Sequence, residues 1–171
     1  EGMCRNPWKL DQGSSGSSAG SASLTAAGCV GFAIGTERWG SIVSPCTRCG
    51  ATGLRPTFGR VSRRGAMALS WTMDKVGPIA RSVADCALVF AAIQGRDARD
   101  ASSRNAPFDW PIERAPSTVR FGYVKSLFEA DYTEWAEKDE DKRGYEEWRA
   151  FDARSLDVLR GLGFQLVPIE L

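Results

Sequence analysis

Two serines stand in sequence contexts that could support nucleophilic chemistry. Ser17 lies in the glycine-serine segment GSSGSSAGSAS at residues 13–23, and Ser41 lies in GTERWGSIVSP, between a predicted strand and a predicted helix. At a strand-to-helix turn, backbone N–H groups can converge on an oxyanion. An ordinary helix N-cap is the alternative for Ser41. A flexible linker is the alternative for residues 13–23, since Gly/Ser tracts usually behave as coil.

The chain contains no histidine, which limits the chemistry open to these serines. Ser-His-Asp catalysis, Cys-His catalysis and histidine-ligated metal sites would all need a residue from another segment. A nucleophilic serine here therefore requires a different base. Cys46 and Cys49 have C-x-x-C spacing, but the sequence offers no second pair to complete a zinc site. We expect no metal and interpret both cysteines as small packing residues.

Length, charge and apolar content narrow the class of protein. At 171 residues with 43% hydrophobic content, the chain predicts about one globular domain. The net charge of +1 gives no reason to expect direct nucleic-acid binding. The longest apolar run, residues 86–93, is far shorter than a membrane span, so no membrane association is predicted. Five cysteines without secretory marks favour reduced thiols and a cytoplasmic protein.

Hydrophobic periodicity and turn signals predict alternating helices and strands in the first part of the chain. A small-residue helix is expected at 21–30 and a buried strand at 31–35, followed by an irregular excursion at 50–78. Ser82 and Asp85 form an S-x-x-D capping box, in which each side chain should satisfy an amide of the first turn. That helix should run to about Gln94.

The second part of the chain predicts a strand-helix-strand unit. Three prolines indicate that residues 97–118 form a surface connection. VRFGYV at 119–124 is a strand, and FQLVPIEL closes the chain as another. Between them a helix ending near Gly163 carries apolar residues on one face, namely Trp148, Phe151, Leu156, Leu159 and Leu162.

Six motifs occur in a characteristic order: NPW, SSAGSA, AAG, IGTExxGSI, GxxGLRPTFGRVSRxG and DxxGPIARSVADCALV. Together they resemble the amidase signature family over nearly the first hundred residues, and GTExxGSI is similar to the variant of peptide-amidase-like members. The resemblance implies an α/β fold with a mixed, twisted central sheet covered by helices on both faces. The 171 residues would form the central part of a single domain, with a signature core at 1–96, the connection at 97–118 and a continuation at 119–171.

The resemblance also implies a Ser-cisSer-Lys triad. Ser41 would be the nucleophile, and Ser17, 24 positions earlier, would be the bridging serine. Ser17 would follow a cis peptide bond from Gly16, with Ser18 supporting the loop and the Ser17 hydroxyl within hydrogen-bond reach of Ser41. The oxyanion hole would consist of backbone amides, those of Arg38, Trp39, Gly40 and Ser41.

The family lysine has no counterpart in this chain. It lies upstream of the glycine-serine loop in the family, where this chain has Lys9 in a variable position. The other lysines match no triad position: Lys75, Lys125, Lys138 and Lys142. The chain also opens without methionine and stops on a strand, so we expect a piece of a longer protein. Its base should come from outside these residues, and the chain alone should be inactive.

Three functions remain open at this point. One is an amidase that hydrolyses a small-molecule amide to an acid and ammonia or an amine, without a cofactor. The second is the A subunit of a tRNA-dependent amidotransferase, and the third is a non-catalytic amidase-like protein. A homodimer or a complementary segment of the same enzyme is a possible partner.

Departures from the family pattern bear on this choice. Many relatives read GTDxGGSIR, where this chain has Glu37, Trp39 and Val43 in place of Asp, the first Gly of the pair and Arg. We expect Trp39 to narrow the acyl side of the pocket. Loss of the arginine at position 43 removes an anchor for an acidic substrate, and both changes favour a stand-alone amidase.

Overall fold

The structure is a computed structural model of the 171-residue chain, and it describes residues 2–111 and 113–171. The chain consists of two compact units, Glu1–Trp110 and Pro111–Leu171. The boundary between them falls within the predicted connection at 97–118. That both units belong to one domain stays a prediction.

The first unit contains five strands and three helices among its described residues. The strands are β1 (Arg5–Asn6), β2 (Lys9–Gly13), β3 (Phe32–Glu37), β4 (Thr52–Gly53) and β5 (Lys75–Ala80), and the helices are α1 (Ala19–Ala26), α2 (Val43–Cys49) and α3 (Val83–Ile93). Helix α1 begins and ends earlier than predicted. Its C-terminal residues give way to a turn in which Gly28 has a positive φ of 76°, which favours glycine and ends the helix.

The strands of the first unit form an antiparallel sheet that sequence patterns only partly predict. β5 lies between β3 and β4, and β1 pairs with β2 separately. The prediction of an irregular excursion at 50–78 is therefore wrong at both ends, where β4 and the start of β5 lie. Gly77 and Pro78 fall in the predicted excursion, yet both are buried in the central strand, where the Pro78 carbonyl accepts a hydrogen bond from the Leu54 amide at 3.0 Å.

Small residues let α1 and α2 pack closely on this sheet. The core cluster consists of Ala22, Ala26, Ile42, Cys46, Cys49 and Ile79. Ile42 lies against glycines of all three strands, because a Cβ on Gly35, Gly53 or Gly77 would lie 2.9, 2.7 or 3.2 Å from one of its side-chain atoms. Any larger residue at these positions would push Ile42, and with it the start of α2, away from the sheet.

The predicted capping box of α3 is half confirmed. The Ser82 hydroxyl accepts a hydrogen bond from the Asp85 amide at 3.1 Å, as expected of an N-cap. The Asp85 carboxylate instead accepts from the Ser82 hydroxyl at 2.8 Å. Aspartate is one methylene shorter than the glutamate of the usual motif, so it satisfies the hydroxyl rather than the N-cap amide. Ile93 ends the helix, one residue before the predicted end.

The second unit has the predicted strand-helix-strand order. β6 (Arg120–Val124) pairs in parallel with β7 (Gln165–Ile169), and helices α4 (Lys125–Glu129) and α5 (Asp139–Gly161) connect them. Short 3₁₀ turns lie at Pro116–Thr118 and Tyr132–Trp135. Of the predicted apolar face of α5, Leu156 is buried, whereas Trp148, Phe151 and Leu162 are exposed in this chain.

The combination of antiparallel pairing in the first unit and parallel pairing in the second confirms a mixed α/β class. None of the helices in the described residues is both long and apolar enough to cross a bilayer.

Gly77→Ala tests the close packing of β5. A Cβ at this position would overlap the Leu54 carbonyl oxygen, so the backbone directly after β4 must move. We expect a loss of about 1 to 3 kcal/mol in the free energy of unfolding, measured by urea denaturation. Gly20→Ala is the matched control in α1, where a Cβ meets nothing within 4 Å. It should leave stability unchanged or raise it by up to about 1 kcal/mol. Equal stability of the two variants would contradict the packing argument.

Candidate active site

The two serines singled out by their sequence contexts line one cavity of the first unit. Its volume is about 420 Å³. Its walls come from Ser17, from residues 36–38 and 41, from much of the segment 63–76, and from residues 99–101. The end of β3 and the turn that follows it therefore face the same space as the glycine-serine loop.

Hydrogen bonds hold the glycine-serine loop against the Ser41 turn. The Ser18 amide donates to the Ser41 carbonyl at 3.0 Å. The Ser18 hydroxyl accepts from the Thr36 amide at 3.2 Å and donates to the Thr36 carbonyl at 3.3 Å. Ser15 and Ser44 share a hydroxyl-hydroxyl bond of 2.7 Å. These contacts to β3 and to α2 rule out a flexible linker for this segment.

The predicted cis geometry of Gly16-Ser17 is confirmed. Ser17 is exposed and Ser41 is half-buried. Within the described residues, no hydrogen bond joins the two hydroxyls, and that they lie within hydrogen-bond reach stays a prediction. The N-cap alternative for Ser41 is wrong, because the N-cap residue of α2 is Ile42, whose own side chain accepts no hydrogen bond.

Glu37, at the end of β3, satisfies the first amides of α2 in place of a capping serine. Its carboxylate accepts hydrogen bonds from the Ile42 amide at 2.7 Å and the Val43 amide at 2.9 Å. Arg55 donates to the other carboxylate oxygen at 3.3 Å. The Glu37 side chain is fully buried, whereas that of Arg55 is half exposed. One carboxylate therefore fixes both ends of the turn that carries Ser41.

The hydrogen bonds to Glu37 together outweigh the effect of burial on its pKa. Burial raises it, but the hydrogen bonds from the Val43, Ile42 and Gly40 amides and from Arg55 together hold the pKa below the ordinary glutamate value. Glu37 is therefore ionised at neutral pH. A buried carboxylate is costly unless several donors reach it, and here they do.

The turn between Glu37 and Ile42 presents amides without protein partners. Among the described residues, the amides of Arg38, Trp39 and Ser41 donate no hydrogen bond. The Gly40 amide interacts with the Glu37 carboxylate instead. Gly40 has a positive φ of 86°, a conformation that lets the backbone turn sharply before Ser41. Of the four predicted oxyanion donors, Gly40 is thus the one already engaged.

Lys75 is the lysine of the described chain that lines this cavity. It begins β5, directly opposite Glu37 in the antiparallel pairing. Its ammonium donates to the Arg38 carbonyl at 3.5 Å and to the Met73 carbonyl. Sequence reasoning assigned no role to this residue. In the structure it lies beside the turn that carries Ser41.

The expectation that Trp39 narrows the pocket is wrong for this cavity. Trp39 is 85% exposed and is not part of the cavity wall. Val43 is exposed as well, at the first turn of α2.

Cys46 and Cys49 lie in the core, as the packing interpretation predicts. Burial, with smaller contributions from Cys86 and Cys49, raises the pKa of the Cys46 thiol to about 11, so it remains a neutral thiol. In the described part of the chain, no group of three or more Cys, Asp or Glu side chains is arranged to hold a metal ion.

Comparison with known proteins identifies the family. The sequence profile named Amidase matches residues 1–168. The chain belongs to the amidase signature family. It is 40% identical over 171 residues to the A subunit of the glutamyl-tRNA(Gln) amidotransferase of Anaeromyxobacter dehalogenans, a match that covers 98% of the chain and 32% of the relative. The same subunit of Geobacter metallireducens is 39% identical over 170 residues, with 99% and 33% covered.

Solved structures of the amidase family show the same fold. The native peptide amidase of Stenotrophomonas maltophilia matches with a TM-score of 0.78 at 35% identity, covering 98% of the chain and 33% of the amidase. The A subunit of the Thermotoga maritima glutamyl-tRNA(Gln) amidotransferase matches with a TM-score of 0.76 at 33% identity, covering 97% and 34%. The predicted family and fold class are confirmed, and the chain spans about a third of the length of these relatives.

Sequence patterns do not reveal three parts of this cavity. They show Glu37 as a departure from the family pattern, whereas in the structure it is the buried anchor of the turn. They predict a surface excursion and a connection for the segments 63–76 and 99–101, yet both line the cavity. Only their clustered arginines, at 63, 64 and 99, could have signalled a binding role.

Glu37→Gln tests the anchoring carboxylate. The folded-state pKa of Glu37 lies below its unfolded value of about 4.3, so its contribution is complete above that pH and disappears as the pH falls through the folded-state pKa. We expect the variant to lose about 2 to 3 kcal/mol in the free energy of unfolding at pH 7 and clearly less at pH 3.5. Asp109→Asn, at an exposed carboxylate, should change stability by less than about 0.5 kcal/mol. A pH-independent difference between wild type and Glu37→Gln would contradict this role.

Proposed function

We propose that the protein is an amidase and that Ser41 and Ser17 are its catalytic serines. The observation that carries the proposal is the direct attachment of the Ser17 loop to the Ser41 turn, through the Ser18 amide, at the wall of a shared cavity. In the described chain, that turn also presents three amides without protein partners, those of Arg38, Trp39 and Ser41. The substrate is a carboxylic acid amide, and the products are the acid and ammonia or an amine.

The proposed reaction proceeds through an acyl-enzyme. The Ser41 hydroxyl oxygen attacks the amide carbonyl carbon while its proton passes to Ser17, whose own proton passes to a neutral lysine. The proton then returns through Ser17 to the amide nitrogen, and the C–N bond breaks. Water attacks the acyl group on Ser41, which releases the carboxylic acid and restores the serine.

The oxyanion of the tetrahedral intermediate needs hydrogen-bond donors that require no rearrangement. The amides of Arg38, Trp39 and Ser41 are available for this, whereas the Gly40 amide interacts with Glu37. We therefore propose the first three as the main donors and Gly40 as a lesser one. Gly16 and Ser18 support the bridging serine, through the turn before it and the hydrogen bonds after it.

A second candidate function is that of an amidotransferase A subunit, which would work with partner subunits. It is favoured by the 40% identity to the A subunit of the glutamyl-tRNA(Gln) amidotransferase of Anaeromyxobacter dehalogenans. The similarity to peptide amidase at 35% identity favours a stand-alone enzyme. Hydrolysis of simple amides by the purified full-length protein, without added subunits, would favour the stand-alone amidase.

Ser41→Ala tests the nucleophile. A fluorophosphonate probe should label the full-length protein at Ser41, because an activated hydroxyl attacks phosphorus as it attacks a carbonyl. Labelling should disappear in Ser41→Ala and persist in Ser44→Ala, at a serine outside the cavity wall. Mass spectrometry of the labelled peptide identifies the site. Undiminished labelling of Ser41→Ala would overturn the assignment.

Lys75→Met tests the origin of the base. We propose that the triad lysine comes from outside this chain, so the variant of the full-length protein should lose less than about tenfold in kcat. Loss of a general base typically costs about 10² to 10⁴. Lys9→Met, in exposed β2, is the control. The 171-residue chain alone should show no enzymatic turnover.

A hundredfold or greater loss in folded Lys75→Met would assign the base to Lys75 instead. The same assignment would follow if the 171-residue chain alone showed robust turnover and the Lys75→Met substitution abolished that turnover.

A further inference from the structure

The amidase cavity carries more positive than negative charge. Among the described residues, five cationic side chains line it, namely Arg38, Arg63, Arg64, Lys75 and Arg99, against the three carboxylates of Glu37, Asp74 and Asp100. The whole chain has a formal net charge of only +1. The positive charge is therefore a local property of this cavity and not of the protein surface in general.

All three carboxylates are already engaged by the protein itself. Glu37 holds the start of α2 and Arg55. Asp74 accepts hydrogen bonds from the Leu69 and Ser70 amides at 2.7 and 2.9 Å. Asp100 accepts from the Arg63 amide at 2.8 Å and from the Ser102 hydroxyl. These hydrogen bonds fix the three carboxylates in the cavity wall, where the five cations still outnumber them.

Two of the cations, like the carboxylates, form contacts with other groups of the protein. Arg63 donates to the Trp71 carbonyl and the Ser102 hydroxyl, both at 2.9 Å, and its guanidinium lies 4.5 Å from the centre of the Phe58 ring. Arg99 pairs with Asp97 at 3.0 Å. These contacts already use part of the donor capacity of both guanidinium groups, so both are less available to a ligand than an unpaired arginine.

The remaining cations have no direct charged partner. Within the described residues, the side chains of Arg38 and Arg64 form no hydrogen bond and no ion pair, and Arg38 makes only the weakest of the contributions that lower the pKa of Asp74. The contacts of Lys75 are to uncharged carbonyls. An arginine guanidinium offers a planar fork of donors that matches a carboxylate. Two such groups at the wall of one cavity favour an anionic ligand.

The same wall also presents apolar surface. Met67, Leu69 and Trp71 line the cavity and are 97%, 73% and 79% exposed. Binding an apolar body against these side chains would remove both surfaces from water. The ligand that fits this combination has an aromatic or alkyl body and one negative charge.

We infer that the amide substrate carries a carboxylate, bound by Arg38 and Arg64, on a body that lies against Trp71. This inference rests on the proposed amidase function. The arginine missing at position 43 would then be replaced by cations from the turn after β3 and from the segment that precedes β5. The carboxylate could belong to the acyl part or to the amine part of the amide, so both are tested.

The test compares pairs of amides in the full-length protein that differ in one para substituent, a carboxylate or a methyl group. For the acyl part, 4-carbamoylbenzoate is compared with neutral 4-methylbenzamide. For the amine part, 4-acetamidobenzoate is compared with neutral 4-methylacetanilide. We expect kcat/KM for the anionic member of at least one pair to be about tenfold higher, mainly through a lower KM, since one charge-assisted contact contributes about 1.4 kcal/mol or more.

Arg64→Gln and Arg38→Gln should each reduce the ratio of anionic to neutral kcat/KM by about threefold to tenfold. Arg96→Gln is the control, because Arg96 is exposed on the same unit and does not line the cavity. It should leave the ratio unchanged. If the arginine variants instead lower kcat equally for every amide, the cations act on the transition state and the inference is overturned.

A binding measurement separates this inference from the proposed function. Calorimetry of 4-carbamoylbenzoate, 4-acetamidobenzoate and their neutral partners with full-length Ser41→Ala reports recognition without turnover. If no amide is hydrolysed but an anionic amide binds Ser41→Ala at least tenfold more tightly than its neutral partner, the proposed function fails and the inference stands. If the neutral amides are hydrolysed and neither anionic member is preferred in kcat/KM or in binding, the inference fails and the function stands.

Discussion

The buried carboxylate of Glu37 is the interaction on which the candidate site depends. It ends β3, accepts the Ile42 and Val43 amides that begin α2, and pairs with Arg55 beyond β4. Three separate segments therefore converge on one charge. A buried ion is stable only when its hydrogen bonds outweigh the loss of hydration, and the lowered pKa of Glu37 indicates that they do. Because its partners leave little freedom at 37 and at 42–43, the intervening turn is held in one conformation.

The packing beneath that turn also restricts its conformation. Ile42, the residue after Ser41, is fully buried against glycines of β3, β4 and β5. A side chain held this tightly has little room to rotate or shift, as is usual in close-packed interiors. Ser41 is thus positioned by its neighbour on one side and by the hydrogen bond between its own carbonyl and the Ser18 amide. Rigid support of this kind is what preorganised catalytic groups require.

We propose that the segments farther along the chain contribute to substrate recognition rather than to the reaction itself. Residues 63–76 and 99–101 bring arginines and exposed apolar side chains to the wall of the cavity that Ser17 and Ser41 also line. The internal hydrogen bonds of Asp74 and Asp100 hold these loops in place. Members of one family can therefore share the serine-bearing turn while differing in the loops that meet the substrate. The relatives of this chain, which include amidotransferase subunits as well as a peptide amidase, illustrate that range.

The sequence by itself determined the family, the α/β class, most helices and the strands β3, β6 and β7, because ordered motifs and hydrophobic periodicity are local features. It also determined the cis geometry at Gly16-Ser17 through the family resemblance. Tertiary structure decided what depends on distant partners. Gly77-Pro78 lies in the central strand and not in an irregular excursion, because β3 and β4 supply the pairing of that strand. Glu37, Lys75 and the arginines at 38 and 64 became parts of one cavity only when segments far apart in sequence folded together. No local pattern encodes that proximity, since it follows from the packing of the whole unit.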